Sequence, residues 1–280
     1  MEINWFPGHM AKTRREIKEN LKLVDAVIEI RDARIVRSSA NPEIEEICKG
    51  KPRIILLNKA DLAEEKATSE WIKELSNENI KVIKGNSMTG EGLKNIKPIL
   101  DLLLKEKLDR LRSKGLVNIT TRVMVVGIPN VGKSSFINKI AKGNRAKTGD
   151  RPGVTKSRQW IKTKLGIELM DTPGVLWPKF EDQKVGLNLA FTGAIKDEIM
   201  NVEDLALELI KSLQDQYGDR IIKRYKLEGL SEDALENMDN IAIKRGAVMA
   251  GRNIDYNRIA ITILDEFRGG KLGRISLETP

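Results

Sequence analysis

The residues with the clearest chemical potential run from Gly127 to Ser134 and read G-I-P-N-V-G-K-S. The apolar run 123–126 precedes them, and residues 135–140 read as the opening of a helix. The order strand, G-x-x-x-x-G-K-S, helix is that of the phosphate-binding loop. In this arrangement backbone N–H groups and the helix N-terminus point at phosphate oxygens. Lys133 is expected to reach the β- and γ-phosphates, and the Ser134 hydroxyl is expected to bind Mg²⁺.

A second motif, Asn58-Lys59-Ala60-Asp61, follows the predicted strand 53–57, which is apolar from Ile54 onward. Ligands of open α/β sheets bind at the carboxyl ends of buried parallel strands, and this run reads as such a strand. The Asp61 carboxylate can accept hydrogen bonds from the ring N–H and the exocyclic amine of guanine, a donor pair that adenine lacks. Asn58 is expected to hold neighbouring loops and the guanine, and the Lys59 stem to lie along the base. Together with the phosphate loop, this motif predicts GTP and GDP as ligands.

A third loop follows the predicted strand 80–83 and begins Gly85-Asn86-Ser87-Met88. Its backbone is expected to cap the guanine oxygen. Met88 stands where a small residue is usual, but a backbone N–H donor does not depend on side-chain identity. The full set of predicted nucleotide-binding residues is Asn58, Lys59, Asp61, Asn86, Ser87, Met88, Asn130, Val131, Gly132, Lys133, Ser134, Ser135 and Gly174.

Two later segments have the composition of nucleotide-sensing switches. The first, residues 149–155, is polar and rich in glycine. Its Thr155 is the candidate that closes on Mg²⁺ and the γ-phosphate, and Thr148, just before the segment, is the alternative. The second reads D-T-P-G and ends a predicted strand. Asp171 is expected to hold Mg²⁺ through water, and the Gly174 N–H is expected to sense the γ-phosphate. The predicted magnesium ligands are Ser134, Thr155 and Asp171.

Composition limits the classes of protein to which the chain can belong. Its 280 residues suit two domains, and the single cysteine, Cys48, excludes an internal disulfide and a metal site of several thiolates. The single cysteine also points to a reducing cytosol. No apolar run approaches a membrane span, and residues 1–4 do not begin a signal peptide. The formal net charge of +9 favours a polyanionic partner, and with a nucleotide site it indicates RNA.

The motif order is unusual for a GTPase, because the guanine motifs precede the phosphate loop and the switch segments come last. Joining the usual ends and cutting elsewhere keeps the same sheet, so a circularly permuted GTPase is predicted. The chain resembles the ribosome biogenesis GTPase A family in these motifs, in W-F-P-G-H-M at 5–10, in D-A-R at 32–34 and in F-R-G-G-K-L-G-R at 267–274. The resemblance implies a bacterial factor that assists late assembly of the large (50S) ribosomal subunit and binds its RNA. It also suggests that Asn130 helps to bind a potassium ion.

The predicted fold class is α/β, with a circularly permuted P-loop domain over 1–178 and a small all-α domain over 179–280. The first has a mostly parallel sheet with helices on both faces. In the second, apolar residues recur at helical spacing, and Ser231 and Asp255 are expected N-caps. Basic residues of both parts are candidate RNA contacts, or else plain solvated surface, and the protein is expected to be monomeric off the ribosome. These candidates are Lys12, Arg14, Arg15, Lys244, Arg245, Arg252, Arg258, Arg268, Lys271 and Arg274.

One departure from ordinary GTPases bears on catalysis. Val175 follows the D-T-P-G segment, where Ras-like enzymes place a glutamine that orients the attacking water. Hydrolysis is therefore expected to be slow alone and stimulated by the ribosomal subunit. His9, the only histidine, is the candidate to orient the water beside Lys133 and Thr155, unless it serves packing or RNA contact. Val175 also leaves open a second class of function, a non-catalytic, GTP-stabilised RNA-binding scaffold.

Overall fold

The part of the chain that the computed structural model describes comprises residues 10–142, 160–172, 174, 176–177 and 182–280. Four residues singled out above lie outside these ranges, namely His9, Thr148, Thr155 and Val175. The chain divides into two compact units, Met1–Glu181 with Glu278–Pro280 and Asp182–Leu277. No helix within the described ranges is both long and apolar enough to cross a membrane.

The first unit is built on a six-stranded sheet with the strand order β3-β2-β1-β4-β6-β5. All neighbouring strands are parallel except β5 and β6, which are antiparallel. This mostly parallel sheet confirms the predicted fold class. The strands are β1 (Ala26–Asp32), β2 (Arg53–Asn58), β3 (Ile80–Lys84), β4 (Thr121–Val126), β5 (Trp160–Lys162) and β6 (Ile167–Asp171). The helices are α1 (Met10–Leu21), α2 (Pro42–Ile47), α3 (Glu65–Leu75), α4 (Ile96–Leu103), α5 (Lys105–Ser113) and α6 (Lys133–Ile140).

The position of β4 shows the circular permutation directly. This strand precedes the phosphate loop and is fourth in the chain, yet it lies inside the sheet between β1 and β6. Met124 is opposite Val27 on one side and opposite Met170 on the other. The strands of the guanine motifs therefore lie on one side of β4 and those of the D-T-P-G segment on the other. All parallel strands end at the same edge, so the motifs meet there despite their order.

Helices cover both faces of the sheet, which explains why β1 and β2 are buried along their whole length. On one face, Ile17 of α1 packs in a cluster with Val27, and Trp71 of α3 packs in a cluster with Ile55. Ile54 points to the opposite face because side chains alternate along a strand, and α4 lies against β2 there. These near-continuous apolar runs are the pattern expected of buried parallel strands.

Three charged residues of β1, Glu29, Arg31 and Asp32, are buried among the apolar ones, and each has a partner. Glu29 accepts a hydrogen bond from Arg31 Nε at 2.6 Å and one from Arg53 Nη1 at 2.9 Å. Arg31 also donates to Glu45 at 2.7 Å. Because every charge is paired, the strand tolerates them in its interior. This ion-pair cluster joins β1 to β2 and to α2.

The second unit is helical in its described residues, as predicted. Its helices bury apolar residues at the predicted spacing, including Leu205, Leu209, Ile263 and Phe267. Asp255 is the N-cap of the last helix, as expected, but the expected cap Ser231 is not one. Asp233 caps that helix, and Ser231 instead accepts the Asp233 N–H at 3.2 Å. The helices are α7 (Gln183–Phe191), α8 (Val202–Tyr225), α9 (Ala234–Arg245) and α10 (Tyr256–Arg268).

The last three residues of the chain pack with the first unit. The Glu278 carboxylate accepts the N–H groups of Arg37 at 2.7 Å and Ser38 at 3.0 Å, as well as the Ser38 hydroxyl. Trp71 Nε1 donates to the Glu278 carbonyl at 3.3 Å. The predicted division at 178/179 left these residues with the second domain, because no local pattern reveals the hydrogen-bond partners of a short tail.

Candidate nucleotide-binding site

The phosphate loop connects β4 to α6 in very close contact with β1 and β2. Gly127 has φ +149°, and a Cβ atom there would lie 2.5 Å from the Ile30 carbonyl oxygen. Gly132 has φ +99°, and a Cβ atom there would lie 2.3 Å from Asn58 Nδ2. Glycine is therefore required at both positions, for backbone conformation and for space. The tight loop leaves the N-terminus of α6 at the edge where the parallel strands end, which is the geometry of an anion site.

Lys133 is held inside this loop. Its ammonium donates to the Ile128 carbonyl at 2.7 Å, and a Cβ atom on Gly174 would lie 2.7 Å from its Nζ. The phosphate loop and the D-T-P-G segment thus approach each other at the ammonium group. Burial lowers the pKa of Lys133 to about 8, although the nearby Asp171 carboxylate opposes the change.

Nucleotide binding is expected to take up a proton at alkaline pH. In the free protein the Lys133 ammonium, with a pKa of about 8, is charged below that pH and loses its proton above it. Nearby phosphates favour the charged form of Lys133, so with Mg²⁺-GDP bound this side chain would stay protonated over a wider pH range. Binding should take up about 0.1 proton at pH 7 and about 0.8 at pH 8.5, and the affinity should fall as pH rises above 8. Calorimetry in buffers of different ionisation enthalpy measures this uptake.

The control for this measurement is Lys164→Gln, which removes an exposed lysine between β5 and β6. This variant should show the same proton uptake as the unmodified protein at both pH values. Equal uptake at pH 7 and pH 8.5 in the unmodified protein would contradict the assignment of the titrating group to Lys133.

Asn58 joins the guanine motif to two other loops. Its Nδ2 donates to the Val131 carbonyl in the phosphate loop at 2.7 Å. Its Oδ1 accepts the Ser87 N–H in the third loop at 2.9 Å. The residue is buried, so both bonds lie away from water and hold the three loops in one arrangement. Asp61, three residues further on, is exposed at the same edge and is accessible to a base.

Lys59 makes a second bridge to the phosphate loop. Its Nζ donates to the Asn130 carbonyl at 2.8 Å and to Asp32 Oδ2 at 2.9 Å. The sequence reading assigned no role to Asp32. The signal that could have found it is its place directly after a buried strand, in register with Asn58. Charged residues at the carboxyl end of such a strand are near the ligand edge.

The third loop differs from the expectation in one respect. Asn86 Oδ1 accepts the N–H groups of Met88 at 2.7 Å and Thr89 at 3.1 Å, because Asn86 forms a local turn with its own side chain. The Met88 N–H was expected to cap the guanine oxygen, and here it already donates within the loop. The Met88 side chain is 74% exposed. A guanine oxygen would therefore share this donor with Asn86.

Ser134 and Asp171 supply oxygen atoms of the kind that Mg²⁺ prefers. Ser134 is exposed in the first turn of α6, and Asp171 ends β6 opposite Val125 of β4. Burial raises the pKa of Asp171, against the opposing influence of Lys133 and the Thr172 N–H, so its charge is only partly compensated. A divalent cation would complete that compensation, and the two residues therefore fit the ion. Within the described ranges no three His, Cys, Asp or Glu residues cluster as a metal site, so nucleotide phosphates and water would supply other ligands.

The basic candidates for RNA contact divide into two groups. Arg245 donates to Glu266 at 2.7 Å and lies 5.1 Å from the Tyr225 ring, and Arg268 donates to Asp197 at 2.7 Å. These two side chains are engaged within the second unit and are poor RNA candidates. The exposed candidates with described side chains are Arg14, Arg15, Lys244, Arg252, Arg258, Lys271 and Arg274, whereas Lys12 is assigned only to α1.

A groove of about 690 Å³ lies between α1 and α2. Its lining includes four basic residues, Arg14, Lys18, Lys22 and Lys51. Arg14 also pairs with Glu43 at 3.2 Å, but about half of its side chain stays exposed. Basic side chains around a groove attract a phosphate backbone.

Comparison with known proteins identifies similar chains along the whole length. A family model described as 50S ribosome-binding GTPase matches residues 122–236. Ribosome biogenesis GTPase A of Bacillus cereus is 51% identical over 280 residues, covering 100% of this chain and 95% of the relative. Mitochondrial ribosome-associated GTPase 1 of Bos taurus is 34% identical over 294 residues, covering 98% of this chain and 88% of the relative. The solved structure of GNP-bound YlqF from T. maritima has a TM-score of 0.64 and 29% identity, covering 96% of this chain and 98% of that chain.

Proposed function

The chain belongs to the ribosome biogenesis GTPase A family, and from that premise we propose a GTP-hydrolysing switch that assists assembly of the large (50S) ribosomal subunit by binding its RNA. The observation that carries this proposal is the joining of the phosphate loop to the guanine motif through Asn58 and Lys59. A GTP-stabilised scaffold would use the same nucleotide site without hydrolysing GTP, so GTP turnover separates it from a switch. The protein is proposed to act in the cytoplasm, as a monomer off the ribosome.

Each loop has a proposed role toward the nucleotide. Asp61 accepts from the guanine edge, while Asn58 and Lys59 hold its loop against the phosphate loop. Backbone N–H groups of the phosphate loop and Lys133 bind the phosphates. Ser134 and Asp171 would hold Mg²⁺, whose charge would offset that of the phosphates. We also assign Thr155 to this Mg²⁺ and the γ-phosphate.

Asn130 is the proposed ligand of a potassium ion beside the phosphates. Its backbone has φ +59°, and its carbonyl accepts from Lys59, which fixes the residue within the phosphate loop. Amide oxygens suit hard cations of this kind. A cation at this position would add positive charge beside the phosphates, where GTPases otherwise use an arginine finger.

RNA binding is proposed for the basic surfaces of both units. In the first unit, Arg14, Lys18, Lys22 and Lys51 line one groove. In the second, Arg252 stands in an exposed turn with φ +65° that leads to Arg258 at the start of α10. A non-glycine residue with this backbone conformation is strained, and such strain concentrates at functional turns.

The test is the salt dependence of binding to large-subunit precursors. Neutralising Arg252, Arg258 and Lys271 together should weaken binding of the GTP-loaded protein. It should also reduce the slope of log affinity against log salt concentration by about 2 to 3, because each neutralised RNA phosphate releases counterions. Nucleotide affinity should stay unchanged.

A charge-matched control replaces Lys211, Lys223 and Lys226 with glutamine, which removes the same charge from α8 and its C-cap. This control should keep the original slope. An unaltered slope in the first triple variant would show that those residues are bystanders and would favour the groove beside α1. Subunit binding with no GTP hydrolysis would instead favour the scaffold.

A further inference from the structure

Three charged side chains meet where β1 and β2 end. Asp32 Oδ1 accepts hydrogen bonds from the Arg34 N–H at 3.1 Å and from Arg34 Nε at 3.0 Å. Asp32 Oδ2 accepts from Arg34 Nη2 at 2.8 Å and from Lys59 Nζ at 2.9 Å. The side chains of Asp32 and Arg34 are each only 2% exposed. The carboxylate is thus fixed by a nearly complete set of donors, of which Lys59 alone belongs to the nucleotide motifs.

This buried pair is not explained by stability alone. Removing two charges from water is costly, and apolar residues of similar volume often stabilise a protein as well or better. Burial by itself raises the pKa of Asp32, but Arg34 and Lys59 outweigh it and hold that pKa well below its usual range. The carboxylate is therefore charged at neutral pH. A constant, rigid acceptor of this kind is suited to orienting a flexible cation.

Lys59 is a side chain that needs such orientation. Its backbone has φ +58°, a left-handed conformation that costs a non-glycine residue energy and persists only where the surroundings enforce it. A lysine side chain also loses much rotamer freedom when it is fixed. The hydrogen bonds from Lys59 Nζ to Asp32 and to the Asn130 carbonyl hold the side chain across the edge of the sheet. Asp32 is in register with Asn58, the residue before Lys59, so the two strands hold this geometry rigidly.

We propose that Asp32 is a positioning residue for guanine nucleotide binding: it holds Lys59 along the base and against the phosphate loop, while Arg34 fixes the carboxylate. Asp32 acts through Lys59 and need not touch the nucleotide. This inference rests on the guanine-nucleotide site proposed above. Since the contact serves the base and the loop that GDP and GTP share, it supports binding of both nucleotides equally.

The test is a double-mutant cycle on nucleotide affinity. Asp32→Asn removes the charge and should raise the Kd for GDP and for a non-hydrolysable GTP analogue by tenfold or more, as expected for a lost bond to a charged group. Lys59→Met should have a similar effect. The double variant should bind no more weakly than Lys59→Met alone, because Asp32 then has nothing to position. At saturating GTP, kcat should stay within about twofold while KM rises.

Two further variants separate positioning from a structural role. Glu29→Gln changes another buried, paired carboxylate of β1, so it should lower the melting temperature without changing nucleotide affinity. Asp32→Asn with Arg34→Met leaves no buried charge unpaired and tests the same idea if Asp32→Asn alone does not fold. Two results overturn the inference: additive losses of affinity when Asp32→Asn is combined with Lys59→Met, or unchanged affinity in Asp32→Asn alone. If the unmodified protein itself binds no GDP, the proposed site fails instead.

Discussion

Replacing Asp61 with asparagine is expected to reverse the base preference of the protein from guanine to xanthine nucleotides. The Asp61 carboxylate is proposed to accept from the ring N–H and the exocyclic amine of guanine, whereas asparagine offers one acceptor and one donor, which match xanthine. Each hydrogen bond to a charged group contributes roughly 1.5–3 kcal/mol, so GTP affinity should fall at least tenfold. Affinity for xanthosine triphosphate should rise, so the ratio of the two affinities should change more than GTP affinity alone. Competition between the two nucleotides for the protein measures that ratio.

Glu78→Gln is the matched control, since it neutralises an exposed carboxylate just before β3. Its preference for GTP should equal that of the unmodified protein. Unchanged GTP affinity in Asp61→Asn would remove the guanine assignment, whatever the control does. A loss of affinity for both nucleotides would point to damage of the loop that Asn58 and Lys59 hold in place.

His9→Ala is expected to abolish most of the hydrolysis that large subunits stimulate. Val175 stands where a water-orienting glutamine is usual, and an aliphatic side chain cannot contact the attacking water by hydrogen bonds. Neutral imidazole both donates and accepts near pH 7, so His9 is the proposed replacement once RNA is bound. In GTPases whose active site is completed by a partner, completion raises the hydrolysis rate about 10³–10⁵-fold. GTP turnover with saturating subunits is the measurement.

Rescue by a conservative variant makes this prediction sharper. His9→Gln restores a side chain that can donate and accept, and it should recover part of the stimulated rate. In both variants, GTP affinity and subunit binding should stay near normal. Full stimulated turnover in His9→Ala would exclude His9 as the water-orienting group. Loss of subunit binding instead would assign the residue to docking.

The sequence alone predicted the family, the GTPase activity and the permuted α/β fold, and the comparisons and the structure confirm all three. These predictions rest on short motifs whose meaning is local. Glycine at 127 and 132, for example, has a positive φ, which the loop motif itself encodes, although the space that also excludes a Cβ atom is set by Ile30 and Asn58 of distant strands. The apolar runs 54–57 and 123–126 likewise identify buried parallel strands, because every residue in them is buried. Permutation preserves such signals, since it changes the order of the elements and not their internal pattern.

Only the tertiary structure decided which of these local features act on one another. Asn58 meets Val131 across 73 positions of chain, and Lys59 meets Asp32 across 27. Such pairs depend on strand order and register, which the spacing of apolar residues along the sequence does not encode. Arg245 and Arg268 likewise read as free basic residues until helix packing brought carboxylates to them. A side chain's partner is set by what lies beside it in space, and a hydrogen bond reaches only about 3 Å.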